Sequence, residues 1–206
     1  MFAKLTPATR AIILVNIVVY VLERVAPVSM EVHFALWPIA SPAPTPFQPW
    51  QLVTYAFLHD PADIWHIIFN MFALYMFGPP LEQFWGARRF VAYYFVCVIA
   101  AAAAQLAVDY AFHSPVDALG ASGGIFGILL AFGVLFPRAK LLLYFVIPMP
   151  AWLFVSGYAV LELFFGVTGR QANIGHFAHL GGMLGGALMM LYWRLRSDRG
   201  GWRPAT

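Results

Sequence analysis

Residues 119–136 read Leu-Gly-Ala-Ser-Gly-Gly-Ile-Phe-Gly-Ile-Leu-Leu-Ala-Phe-Gly-Val-Leu-Phe, a run without a charge in which the only hydroxyl is that of Ser122. A helix made from it is apolar all round, which suits hydrocarbon or a core equally dry. The composition of the whole chain decides between these. Of 206 residues, 62% are hydrophobic and 10% charged, and the mean hydropathy is +0.75. Soluble domains carry about 25% charged residues, so a water-facing surface cannot be assembled from this chain. Disorder, a coiled coil and an ordinary soluble enzyme are excluded on the same ground. The few polar residues within the apolar runs then each need a reason.

Working outward, five more apolar segments are visible, at 11–26, 64–81, 90–108, 141–165 and 174–193. Crossing about 30 Å of hydrocarbon takes about 20 helical residues. The expected architecture is an all-α, polytopic membrane bundle of six transmembrane helices, formed as a single domain over 1–206. Glu23 and Arg24 are placed to snorkel at the end of the first span, and Pro148, Pro150 and Glu162 fall within the fifth. The connection 27–63 contains several prolines but is also rich in Trp, Phe and Leu. It is expected to lie partly in the membrane interface, with Trp37 and Trp50 as aromatic anchors. The single cysteine, Cys97, excludes an intramolecular disulfide. No basic patch suited to nucleic acid is visible, and the bilayer is the expected environment.

Charge sets the orientation. With the N-terminus inside, Lys4, Arg10, Arg88, Arg89, Arg138, Lys140, Arg194, Arg196, Arg199 and Arg203 lie on the inner side, ten of the twelve Lys and Arg. Such a bias is the positive-inside pattern. It predicts cytoplasmic tails at 1–10 and 194–206.

Three polar clusters then fall at the outer ends of even-numbered spans. His66 and Asn70 are spaced i, i+4 and share a helix face. Gly120-Ala121-Ser122-Gly123-Gly124 opens the fourth span, and Gly175-His176-Phe177-Ala178-His179 opens the sixth. A serine becomes a useful nucleophile when a base takes its proton, and a neutral imidazole tolerates burial. Acyl transfer also needs donors aimed at an oxyanion; His66, Asn70 and the Ser122 N–H are the candidates. Gly181/Gly185 and Gly182/Gly186 are small-xxx-small pairs that let helices approach closely. Gly120 and Gly123 keep bulk away from Ser122.

The set His66-x-x-x-Asn70, Gly120-Ala121-Ser122-Gly123 and Ala178-His179-x-Gly181-x-x-x-Gly185, with the stretch Pro79-Leu81-Glu82-Trp85-Gly86-Arg89-Phe90, resembles the rhomboid family of intramembrane serine proteases. The resemblance spans nearly the whole chain. It implies Ser122 as nucleophile and His179 as base in a dyad without an acidic third member, with His66, Asn70 and the Ser122 N–H around the oxyanion. It implies transmembrane protein substrates and no cofactor, and the compact six-span form resembles prokaryotic members, which implies a bacterial or archaeal cell membrane. The chain departs from the family pattern at Trp50-Gln51, where Trp-Arg is common. It departs again at Phe126, where some members have a tyrosine; Phe126 can stack on His179 but cannot donate a hydrogen bond.

Plainer readings stand beside these. Ser122 could be a helix-packing residue, and His66 and Asn70 could brace loops. His176 is expected to be structural or interfacial, and His59 and His113 to be loop or interface histidines. Glu82 is expected to cap or hydrogen-bond near the inner face, and Glu162 and Asp109 to be solvated at span ends. A metal shared by His66, His176 and His179 is a rival, but no His-Glu-x-x-His sequence occurs, so no metal is expected. A non-catalytic relative that escorts membrane proteins and a transporter are the other functional alternatives.

Overall fold

A computed structural model of the chain describes residues 4–39, 45–112, 117–143, 146–168 and 175–197. His113 and the basic residues beyond 197 lie outside these, as do Pro42 and Pro44. The described chain is an all-α membrane bundle. Its long helices are α1 (Pro7–Val25), α4 (Ile64–Trp85), α5 (Ala87–Phe112), α6 (Ser122–Leu135), α7 (Ala151–Thr168) and α8 (His176–Ser197). The first connection folds into α2 (Pro27–Phe34), α3 (Gln51–Thr54) and a 3-10 turn at Tyr55–Phe57. Of the described helices, α4, α5 and α7 are long and apolar enough to cross a membrane on those criteria alone. Helix α1 carries Arg10, Glu23 and Arg24, and α8 carries two histidines, which makes both less apolar without altering their place in the bundle.

Helices α5, α6 and α8 form the centre. Between helices in lipid the hydrophobic drive is weak, so close packing of small residues does the work. Added β-carbons at Gly181 and Gly185 of α8 would collide with Ala104 and Ala100 of α5, and one at Gly182 would collide with the Gly123 carbonyl of α6. At Gly186 the obstacle would be the Tyr93 hydroxyl, and at Gly127 of α6 it would be Cys97. The paired glycines of α8 thus seat it against two helices at once. Helix α6 is 14 residues long, about 21 Å at 1.5 Å per residue, and is too short to cross the hydrocarbon at full depth.

The fifth apolar segment is not one helix. Residues Lys140–Leu143 (β1) pair antiparallel with Ile147–Pro150 (β2), with Leu141 opposite Met149, and α7 begins only at Ala151. Pro148 and Pro150 lack the N–H that a continuing helix needs, so the chain forms a hairpin before the span. The first connection differs from expectation in one respect. Trp50 is half exposed, as an interfacial anchor would be, but Trp37 is buried and donates its indole N–H to the Glu31 carbonyl at 3.2 Å. At Trp50-Gln51, Gln51 is fully buried; its side-chain oxygen accepts from the backbone N–H of Gln48 at 3.1 Å and lies 3.4 Å from that of Trp37. Glutamine here ties the loop together from within.

Glu82 takes the capping role expected of it, across helices. Its carboxylate accepts the backbone N–H groups of Ala8 and Thr9 and the hydroxyls of Thr6 and Thr9, at 2.5 to 2.9 Å. These include donors that the start of α1 cannot satisfy internally. Glu23, by contrast, does not snorkel. It is 2% exposed, and both carboxylate oxygens accept the His59 backbone N–H.

Candidate active site

Ser122 is the first residue of α6, and the chain leading to it is pinned from the first connection. Leu36 and Ala118 exchange two backbone hydrogen bonds of 2.9 and 3.0 Å, and the Gly120 N–H donates to the Tyr55 carbonyl at 3.0 Å. The Tyr55 hydroxyl in turn donates to the Val98 carbonyl of α5. Gly120 has φ +125°, a conformation open to glycine and strained for other residues. A β-carbon there would also stand 2.8 Å from His66 Nε2, so this glycine makes room for the His66 ring. As an N1 residue, Ser122 has a backbone N–H without an intrahelical acceptor.

His179 comes from the first turn of α8. Its Nε2 is 2.8 Å from Ser122 Oγ, and the ring is stacked on Phe126 with centroids 4.2 Å apart and planes 8° from parallel. The contact expected of Phe126 is present. Gly182, one turn along α8 from His179, lies against the Gly123 backbone, and this close approach brings the two side chains within reach.

The remaining bond of His179 differs from expectation. Its Nδ1 lies 3.0 Å from Glu162 Oε2. The same oxygen is 2.6 Å from His176 Nδ1. All three residues are buried, Glu162 at 8% exposure. The expected dyad therefore has an acidic neighbour in hydrogen-bond contact, and Glu162 is not solvated. The cause is the packing of α7 on α8, with Glu162 on the face turned towards the His176–His179 turn. The three donor atoms all lie within 4.8 Å of one another, a grouping able to hold a metal ion. Its 2.6 and 3.0 Å separations, however, are those of hydrogen bonds; donors around one zinc at about 2.0–2.1 Å would stand roughly 3.3 Å apart. Asp109 is likewise buried, with its carboxylate accepting from the Gln105 side chain at 2.9 Å.

His66 and Asn70 share one face at the start of α4. The Asp60 backbone N–H donates to His66 Nδ1 at 3.3 Å. That bond leaves the proton of the neutral ring on Nε2, the atom beside Gly120. Ser122 Oγ lies 3.7 Å from the same β-carbon position at Gly120, so the His66 nitrogen and the serine oxygen face a common space. Asn70 donates one side-chain N–H to the His66 carbonyl at 2.8 Å, which ties its amide to its own helix. His59 is not a surface histidine. It is fully buried, its ring meets that of His66 edge-on at 4.9 Å, and burial together with that neighbour pushes its pKa down to about 3. It is therefore a neutral brace behind His66.

The structure thus brings Ser122, His179, His66, Phe126, Gly120, Gly123 and Gly182 together. It adds Glu162, His176 and His59. The signal for Glu162 was available: an ionisable residue inside an apolar span is by default a functional one.

Fold and site define a class: a polytopic helical membrane protein with a serine–histidine pair at the ends of two close-packed helices. The comparisons agree and go further. The Rhomboid domain matches residues 46–196. The chain is 38% identical over 142 residues to "Rhomboid protein 1, mitochondrial" of Saccharomyces cerevisiae, covering 66% of this chain and 40% of that protein. It is 34% identical over 171 residues to "RHOMBOID-like protein 12, mitochondrial" of Arabidopsis thaliana, covering 72% and 47% respectively. With "Rhomboid protease GluP" of Bacillus subtilis it shares 31% identity over 137 residues, 66% of this chain and 24% of that one. The chain belongs to the rhomboid family. It spans less than half the length of these three relatives.

Proposed function

We propose that this protein is an intramembrane serine endopeptidase that cleaves transmembrane segments of other membrane proteins. The observation that carries the proposal is the 2.8 Å approach of Ser122 Oγ to His179 Nε2 in a partly buried, glycine-lined site. His179 Nε2 takes the hydroxyl proton as Ser122 Oγ bonds to the scissile carbonyl carbon. The carbonyl π electrons move to oxygen, and the resulting anion is met by the Ser122 N–H, His66 Nε2–H and the second amide hydrogen of Asn70. The carbonyl then re-forms as the C–N bond breaks, His179 gives its proton to the leaving amine nitrogen, and the acyl group stays on Ser122 Oγ. Water, activated by the same imidazole, releases the acyl group from Ser122.

The substrate has to unwind, because a peptide bond within a helix is shielded by its own hydrogen bonds. Helix-weakening and small residues near the cleaved bond are therefore favoured. The short α6 supports a site sunk below one membrane surface. The ten-to-two distribution of Lys and Arg supports cytoplasmic termini and a site near the outer leaflet of a bacterial or archaeal cell membrane. Two of the relatives are named as mitochondrial, which makes an organellar membrane the second placement. A reporter tag on the C-terminus, read from each side of sealed vesicles, tests the orientation.

The decisive experiment is reconstitution with a single-span substrate, comparing wild type with Ser122→Ala and His179→Ala. Cleavage by wild type alone, with fluorophosphonate labelling lost in Ser122→Ala, is the expected result. Equal cleavage by all three ends the proposal, and wild type that binds the substrate without cutting it points instead to an escort role.

A further inference from the structure

We propose that Glu162 is a positioning residue for His179, so that this chain works with a serine–histidine–glutamate triad. This deepens the protease reading and rests on it. Glu162 Oε2 lies 3.0 Å from His179 Nδ1, on the side of the ring opposite the 2.8 Å contact to Ser122. With a carboxylate as acceptor, Nδ1 must carry the proton of the neutral ring. Nε2 then has a free lone pair pointed at the serine hydroxyl, the tautomer a general base requires. The stacked Phe126 ring fixes the plane of the imidazole but leaves its tautomer undetermined.

A second contact makes the carboxylate rigid. His176 Nδ1 is 2.6 Å from the same oxygen, so two buried imidazoles hold Oε2 between them. The titratable groups on the elements packed around α8 are Arg88, Arg89, Tyr93, Tyr94, Cys97, Asp109 and Tyr110 on α5, and Tyr158 and Glu162 on α7; His66 stands across the site on α4. Of these, Glu162 stands within hydrogen-bond distance of His179 Nδ1. When Ser122 Oγ bonds to the carbonyl carbon, its proton passes to His179 Nε2 and the ring becomes an imidazolium. Glu162 remains ionised and faces that new charge. The attraction exists in the transition state and is absent from the substrate complex, so it acts on kcat and leaves KM alone.

The test is reconstituted wild type beside Glu162→Gln, Glu162→Asp, Ser122→Ala and His179→Ala, with kcat and KM measured on one single-span substrate. The amide keeps the volume and an acceptor oxygen and removes the charge. Glu162→Gln is expected to lose about 100-fold or more in kcat, as charge-removing changes in catalytic triads do, with KM within about twofold. Glu162→Asp is expected to regain part of the loss. In 15N-histidine NMR of the full-length wild type, the His179 proton is expected on Nδ1. Wild-type kcat in Glu162→Gln, while Ser122→Ala and His179→Ala are dead, overturns the role of Glu162 and leaves the protease reading intact. Full cleavage by those two variants overturns the reading beneath it. If Glu162→Gln does not fold, the wild-type spectrum decides, and an unprotonated Nδ1 overturns the inference. A rise in KM matching the fall in kcat, unrelieved by aspartate, marks a merely structural residue and does the same.

Discussion

Replacing Gly182 by alanine tests whether helix separation sets the chemistry. A β-carbon at Gly182 would stand 2.8 Å from the carbonyl carbon of Gly123 and 3.3 Å from its Cα, with the carbonyl oxygen nearer still. Ordinary contact begins at 3.4 Å. The obstacle is backbone, which has no rotamer to turn away. Helices α6 and α8 must therefore part by more than about 0.6 Å, and by about 1.4 Å once the oxygen is cleared to a C–H···O distance of about 3.3 Å. Ser122 and His179 sit on either side of this contact, and their 2.8 Å bond has little slack before it passes the useful limit of about 3.2 Å. A misplacement of about 1 Å between reacting groups costs on the order of 100-fold in rate. Gly182→Ala is thus expected to cut kcat about 100-fold and to slow fluorophosphonate labelling of Ser122, with helical content retained in circular dichroism. Gly157→Ala on α7 is the control. Nothing lies within 4 Å of its added β-carbon, so activity should hold while helix propensity rises by about 0.5–1 kcal/mol. Wild-type turnover in Gly182→Ala would refute the idea that this glycine sets the nucleophile–base distance.

The proposed oxyanion role predicts that His66→Ala and Asn70→Ala each lower kcat by about 100-fold or more, with labelling of Ser122 reduced in parallel; unchanged kcat in both would remove them from the site. Phe126→Ala removes the ring that holds the His179 plane and should cost roughly tenfold in kcat, a loss of about 1.4 kcal/mol in stacking and orientation, while Phe126→Tyr keeps the stack and should retain activity. Glu82→Ala strands buried donors at the start of α1 and should lower unfolding free energy by about 3 kcal/mol, measured in mixed micelles. His59 gives a pH signature with a definite sign. Its folded pKa of about 3 lies below the ordinary histidine value of 6.5, so between these limits the unfolded chain binds more protons and stability falls as pH falls. From pH 7.5 to 5 wild type should lose about 2 kcal/mol more than His59→Phe; equal losses would contradict the burial of a neutral His59.

Much of the site was legible because depth along a span can be read from residue order. Ser122, His66 and His179 all fall near span ends that share one side of the bundle, and the glycines that let α6 and α8 meet lie in plain sight. Angular position about each helix axis cannot be read this way. Glu162 reads as a span-end carboxylate until α7 is turned so that it faces His176 and His179. Trp37 and His59 read as interface residues until the first connection folds them inward. The hairpin at 140–150 was signalled by its prolines, but the apolar run through them concealed it.

The sequence by itself therefore determined that this chain is a helical membrane protein, that its helices pack through glycines, and which neutral polar residues stand at one depth. These follow from hydropathy and residue chemistry, which are local. Tertiary structure alone decided that His179 is held on both sides, by Ser122 at 2.8 Å and by Glu162 at 3.0 Å. The physical reason is that lipid offers every apolar helix face a nearly equal reward. The rotation of each helix is fixed only when small residues interlock and buried polar groups find their partners.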